Sequence, residues 1–121
     1  MPTKTDKSDV PSVPPEGGVA IETVLRTLSK PRRRAILRQV CECGEPVDAT
    51  AVATAVVAGE WAGRDEPVPA GERERVLRSL RHVHLPKLAA AGLIEYDRET
   101  ETAVATEAGG RALSDLEQSL L

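Results

Sequence analysis

The sequence predicts a mainly α domain carrying one small β-hairpin, and three observations lead there. Apolar residues recur at helical spacing along most of the chain. The period changes to two residues only between Leu93 and Ala105. The chain has no Phe, one Trp and one Tyr, so its core must be built from Ala, Val, Leu and Ile, small side chains that suit closely packed helices.

The opening 1–18, rich in Pro, Ser, Thr and charge without periodicity, reads as a disordered N-terminal tail, and 19–121 as one domain. Val19–Leu28 places Ile21, Val24, Leu25 and Leu28 at i, i+3, i+4, i+7, the stripe of an amphipathic helix. Pro31 is tolerated at a helix start, where its missing N–H costs nothing, so a second helix runs from there to about Glu42. It buries Ile36, Leu37, Val40 and Cys41 and stops at Gly44 and Pro46. Asp48 is a suitable N-cap for a third helix, Ala49–Ala58. Gly59–Ala70, with its Gly and Pro, is a loop.

A fourth helix from Gly71 to Ala91 places Val76, Leu77, Leu80, Val83, His84 and Ala91 on one arc and Arg75, Arg78, Ser79 and His82 on the other. One arc is built for a core and the other is basic. Pro86 removes a helical hydrogen bond and is expected to kink or end the regular helix. Gly92 terminates it; Leu93–Asp97 and Glu101–Ala105 are the paired strands of a hairpin, joined by Arg98, Glu99 and Thr100. Thr106 caps a last helix, Glu107–Leu120, with Leu113, Leu116 and Leu120 at helical spacing. The order, four helices, a hairpin and a helix, is that of a winged helix-turn-helix with an extra helix at each end.

The residues carry a resemblance as well. LSKPRRRAIL, Leu28–Leu37, is similar to the LSxPxRxxIL opening of ArsR-type winged-helix regulators, and HLPKLAAAGLIEYD, His84–Asp97, to their HLKxLxxAGLV segment. The triple Arg after Pro31, with the second segment, resembles a set of small haloarchaeal winged-helix proteins, and the acidic, lysine-poor composition is in keeping with such a source. The resemblance implies a DNA-binding transcriptional regulator whose end helices form a homodimer interface: Ile21, Val24, Leu25, Leu28, Leu113, Leu116 and Leu120. In ArsR-type proteins the third and fourth helices are joined by a tight turn, whereas Gly59–Ala70 intervenes here.

The expected partner is double-stranded DNA. Arg75, Arg78, Ser79 and His82 form the set facing the groove, since Arg can contact guanine bidentately and Ser can donate to a base edge. Arg32, Arg33 and Arg34 open the second helix, where they could neutralise phosphates. Three Arg at a helix N-terminus oppose the macrodipole, which asks for an outside reason, either a phosphate or an acidic group of the same domain. The net charge of −3 hides a sorted distribution, with six basic residues and no acidic one from Arg26 to Arg38. The hairpin tip offers Arg98 against Asp97, Glu99 and Glu101, a poor grip on phosphate. That tip and the long loop with Trp61 motivate an alternative, a protein-interaction module of the same fold that does not read DNA.

Other classes are disfavoured. Cys41 with Cys43 and His82 with His84 could supply four zinc ligands, but a helix cannot aim both histidines at one ion, so no metal is expected. No glycine-rich phosphate loop, paired apolar carboxylates or activated nucleophile is present, so neither enzyme activity, catalytic residues nor a cofactor is expected. No apolar run approaches the ~20 residues that cross a bilayer, and the N-terminus is polar; the expectation is a cytoplasmic protein with no membrane partner.

Overall fold

The computed structural model describes residues 20–119. Six helices and three short strands follow in the order α1 (Ile21–Thr27), α2 (Pro31–Cys43), β1 (Val47–Asp48), α3 (Ala49–Trp61), α4 (Glu72–Ser79), a π-helical turn (Leu80–His84), α5 (Leu85–Ala90), β2 (Ile94–Asp97), β3 (Thr102–Ala105) and α6 (Glu107–Ser119). The class is as the sequence predicts, mainly α with a β-hairpin. The expected tail 1–18 and Leu120 lie outside the described residues.

Local chemistry sets the boundaries. Pro31 opens α2 behind Lys30 in an extended conformation, and Gly44 closes it at φ 67° in the left-handed region. The Asp48 carboxylate accepts the Ala51 N–H at 3.0 Å, as an N-cap should. At the end of α5, Leu93 N–H bonds to Leu88 O and Gly92 N–H to Ala89 O, with Gly92 at φ 80°. This doubly bonded stop places Leu88 and Leu93, both fully buried, against the same core. Thr106 accepts the Gly109 N–H and donates to Gly92 O, so one hydroxyl caps α6 and ties it to the end of α5.

The hairpin pairs β2 with β3 in antiparallel register, Ile94 opposite Ala105 and Tyr96 opposite Ala103. β1, absent from the sequence reading, adds to the outer side of β3 through Val47 and Ala103, giving the order β1-β3-β2. α3 runs three residues beyond the expected end at Ala58, because Trp61 packs on the core and holds the last turn.

The core lies between α2, α3, the helix from Glu72 to Ala90 and the sheet, with Ile36, Leu37, Val52, Leu80, Leu85 and Leu93 fully buried. Val83, expected on the core arc, is 40% exposed. The cause is the π turn: Leu85 N–H bonds to Leu80 O, five residues back, and the extra residue makes Leu85 rather than Val83 succeed Leu80 in the core. The regular α-helix does give way ahead of Pro86, as expected: it stops at Ser79, the π turn takes its place, and α-helical winding resumes at Leu85 with Pro86 in the first turn, where its missing N–H is tolerated.

Leu28 and Leu113, expected in a dimer interface, are 6% and 8% exposed and close the monomer's own core. For Leu113 the cause is that α6 packs back onto α2, seated by Gly109, where a Cβ would fall on the Leu93 carbonyl oxygen. Gly109→Ala is therefore expected to lower stability by about 2–3 kcal/mol in urea titration, through forced displacement of buried backbone. Gly110→Ala, beside it on the same helix but facing open space, is expected to be neutral or to stabilise by up to about 1 kcal/mol.

Candidate nucleic-acid interface

The helix from Glu72 to Ala90 is pinned on one side by Val76, Leu80, Leu85 and Leu88, so its opposite side is fixed as a surface. Arg75, Arg78 and His82 lie on that side and are exposed, with Ser79 half-buried at its edge; Lys87, also exposed, turns towards α1, where it lines a cavity with Thr23, Arg26 and Arg33. The structure thus brings together the four residues that the sequence placed on one arc. They differ in freedom. Arg75 donates to Glu72 at 2.8 Å, and Ser79 turns its hydroxyl to Val76 O at 3.1 Å. Arg78 and His82 have no ion pair among the described residues.

Glu72 itself is held at the foot of the helix. The Arg75 guanidinium, with help from the Trp61 indole, keeps its carboxyl below the usual carboxylate range. Arg64 lies 4.3 Å over the Trp61 ring, so the loop leaving α3 is stacked against the same corner. The loop that departs from the ArsR-type tight turn is anchored at both ends by Trp61 and Glu72.

The three arginines of α2 are engaged inside the molecule. Arg32 grips the Glu60 carboxylate with two bonds of 2.8 Å. Arg33, only 6% exposed, donates through Nε to Thr27 O at 2.6 Å. Arg34 donates to Leu28 O at 2.9 Å. Arg33 and Arg34 therefore satisfy carbonyls at the end of α1 that no helical N–H reaches, and that fixed partial negative charge is what draws two cations to this spot. Of the two reasons considered for the triple Arg, the internal one is what the geometry displays, and Arg33 faces no outer surface. The acidic partner is Glu60 of α3.

Sequence reasoning passed over Arg81. Its terminal nitrogen donates to Glu101 Oε1 at 3.0 Å, and its Nε lies 2.9 Å from Oε2 in an ion contact that lacks hydrogen-bond geometry. Glu101 has φ 58°, rare for a residue with a side chain, and its carbonyl accepts the Ala49 N–H at 2.8 Å. One residue therefore links the hairpin to α3 and to the π turn. The signal available was the i, i+3 relation of Arg78 and Arg81; its partner twenty residues on was not readable. At the tip, Asp97 accepts the N–H groups of Glu99 and Thr100, which fixes the turn and leaves Arg98 exposed.

His84 sits at the back of the helix against Arg33. Arg33 can only donate, so the 3.5 Å approach of its Nη1 to His84 Nδ1 requires a neutral ring with its proton on Nε2. Burial, with Arg33, Arg32 and Lys30 nearby, pushes its pKa down from 6.5 to about 4. His82 and His84 point to different sides, and among the described residues no cluster of His, Cys, Asp and Glu is placed to hold a metal. Cys41 is half-buried and Cys43 exposed, both as free thiols.

Residues 25–104 match the family described as domain of unknown function DUF7344, and the chain belongs to that family. The matched span begins inside α1 and ends at Val104, so it contains the helix from Glu72 to Ala90 and all but the last residue of the hairpin, and stops short of α6. No curated protein and no solved structure matches the chain. Among the described residues no helix is long and apolar enough to cross a membrane.

The neutral His84 makes a pH-dependent contribution. The unfolded chain takes up a proton near pH 6.5 and the folded protein only near 4, so the unfolded state binds more protons in that window and stability falls as pH drops through it. His84→Asn, which keeps an acceptor for Arg33, is expected to flatten the acid limb of the melting-temperature profile between pH 6.5 and 4. The effect is on the order of 1 kcal/mol, with the ring's residual exposure screening the rest.

Proposed function

We propose that this chain is a winged-helix DNA-binding protein, a cytoplasmic transcriptional regulator acting as a homodimer on double-stranded DNA. The observation that carries the reading is the exposed side of the helix from Glu72 to Ala90. There Arg78 and His82 stand free of ion pairs among the described residues, with Arg75 one turn before them, on a helix directly ahead of an antiparallel hairpin. A helix of this width fits the major groove, and a cation with a fixed base suits a guanine edge. The similarity of the Leu28–Leu37 and His84–Asp97 segments to ArsR-type regulators supports the same reading.

The roles divide by what the side chains already do. Arg78 and His82 read base edges, with Arg75 and Ser79 contributing after they exchange their internal partners for DNA. Arg32, Arg33 and Arg34 support the helix from behind instead of gripping phosphate. Arg98 is the one cation of an acidic hairpin tip, so the hairpin adds little electrostatic hold, and the helix carries recognition. Dimerisation rests on α1: Ile21 and Leu25 are 74% and 65% exposed, an apolar pair on one helix face, with half-buried Leu116 of α6 as the further candidate.

In binding to genomic fragments at physiological salt, Arg78→Ala with His82→Ala is expected to lower affinity at least tenfold and to relax site preference. Arg111→Ala, an exposed cation on α6, is expected to leave both unchanged. Binding unaltered by the double substitution would turn the reading towards the protein-interaction module. Leu25→Glu is expected to convert a dimer to a monomer in sedimentation without loss of folding, because the side chain it replaces is exposed in the single chain.

A further inference from the structure

The π turn does more than accommodate Pro86. Five residues separate the successive core positions Leu80 and Leu85, whereas a regular helix would have returned to the core at Val83 or His84. The extra residue turns Val83 away from the interior, and the wider winding sets it about one turn beyond Arg78 and Ser79 and next to His82. The result is an apolar side chain, 40% exposed, adjoining a cationic surface in the middle of the helix. A β-branched side chain in a helix holds essentially one rotamer, so its methyl groups point in a fixed direction and need little ordering on contact.

Among the base edges of the major groove, the feature that an apolar group between hydrogen-bonding side chains can recognise is the 5-methyl of thymine. We infer that Val83 is a specificity-determining residue that reads a thymine methyl beside the base contacted by Arg78 or His82. This rests on the DNA-binding reading above and adds a position to it that charge alone does not identify. It also supplies an attraction that salt does not screen. Phosphate contacts weaken steeply as salt rises, while burial of a methyl group persists, which suits a protein whose hairpin tip is acidic.

The test uses the full chain and duplexes selected by it from a randomised pool. In the selected site each thymine is replaced in turn by deoxyuridine, which removes the 5-methyl group and nothing else. For the unaltered protein, one thymine in each half-site is expected to show a loss of about three- to fivefold on replacement, undiminished at high salt. Val83→Ala, at an exposed position where alanine favours the helix, is expected to bind the thymine and uridine duplexes equally, with circular dichroism confirming the fold. Val83→Thr, which keeps one methyl and the branched shape, is expected to retain part of the discrimination.

Unaltered protein that binds the selected site equally well at every uridine substitution would overturn the inference while leaving DNA binding intact. So would a Val83→Ala variant that keeps the full penalty. Failure to enrich any duplex from the pool would overturn the DNA-binding reading, and the assignment of Val83 with it.

Discussion

The burial of Leu80 and Leu85 in one core, five residues apart on a single helix, is the constraint from which the rest of this domain follows. Both side chains are fully buried, and regular helical spacing cannot put both inward. The helix meets the requirement with one widened turn. That turn determines which residues after it face in and which face out, where the helix ends at Gly92, and hence where the hairpin leaves. Arg81, within the same turn, then holds the hairpin through Glu101. The position of the hairpin relative to the exposed helix face is thus tied to the turn that creates the face.

Behind the helix a second device serves the same end. Arg33 and Arg34 reach the final carbonyls of α1, and Arg33 extends to His84 at the far end of the π turn. Arg32 ties α2 to α3 through Glu60, whose neighbour Trp61 in turn lies against Glu72 at the start of the helix. The internal arginines thus form the mechanical back of the surface whose front carries Arg78 and His82. Such engagement costs desolvation of Arg33, which carbonyl acceptors and a neutral imidazole offset.

Most of the architecture was readable in the residues because its signals are local. Pro31, Asp48, Gly92 and Thr106 each mark a boundary by their own backbone or capping chemistry, and each does so in the structure. Arg75, Arg78 and Ser79 were legible for the same reason, since they lie before the helical phase changes, and His82, inside the widened turn, stays exposed as expected. Val83 was misplaced because a π turn alters the period without a compositional mark beyond Pro86. β1 was missed because two residues carry no alternation, and they pair only with a strand far along the chain. The roles of Arg33, Arg81 and Leu113 depend on partners distant in sequence, which periodicity cannot supply.

The account holds that the widened turn orients a recognition surface, and this can be separated from its part in folding. Deleting His84, at the back of the helix, together with Pro86→Ala restores four-residue spacing between the two core leucines while keeping Arg78, His82 and Val83, so a regular helix can bury the same side chains. The most direct measurement is the affinity of this variant for the duplex that the unaltered protein selects, after denaturant titration has shown that it is folded. The account predicts a stable domain that has lost at least tenfold in affinity and no longer prefers that site. A stable variant that binds the same duplex with undiminished affinity and preference would contradict it.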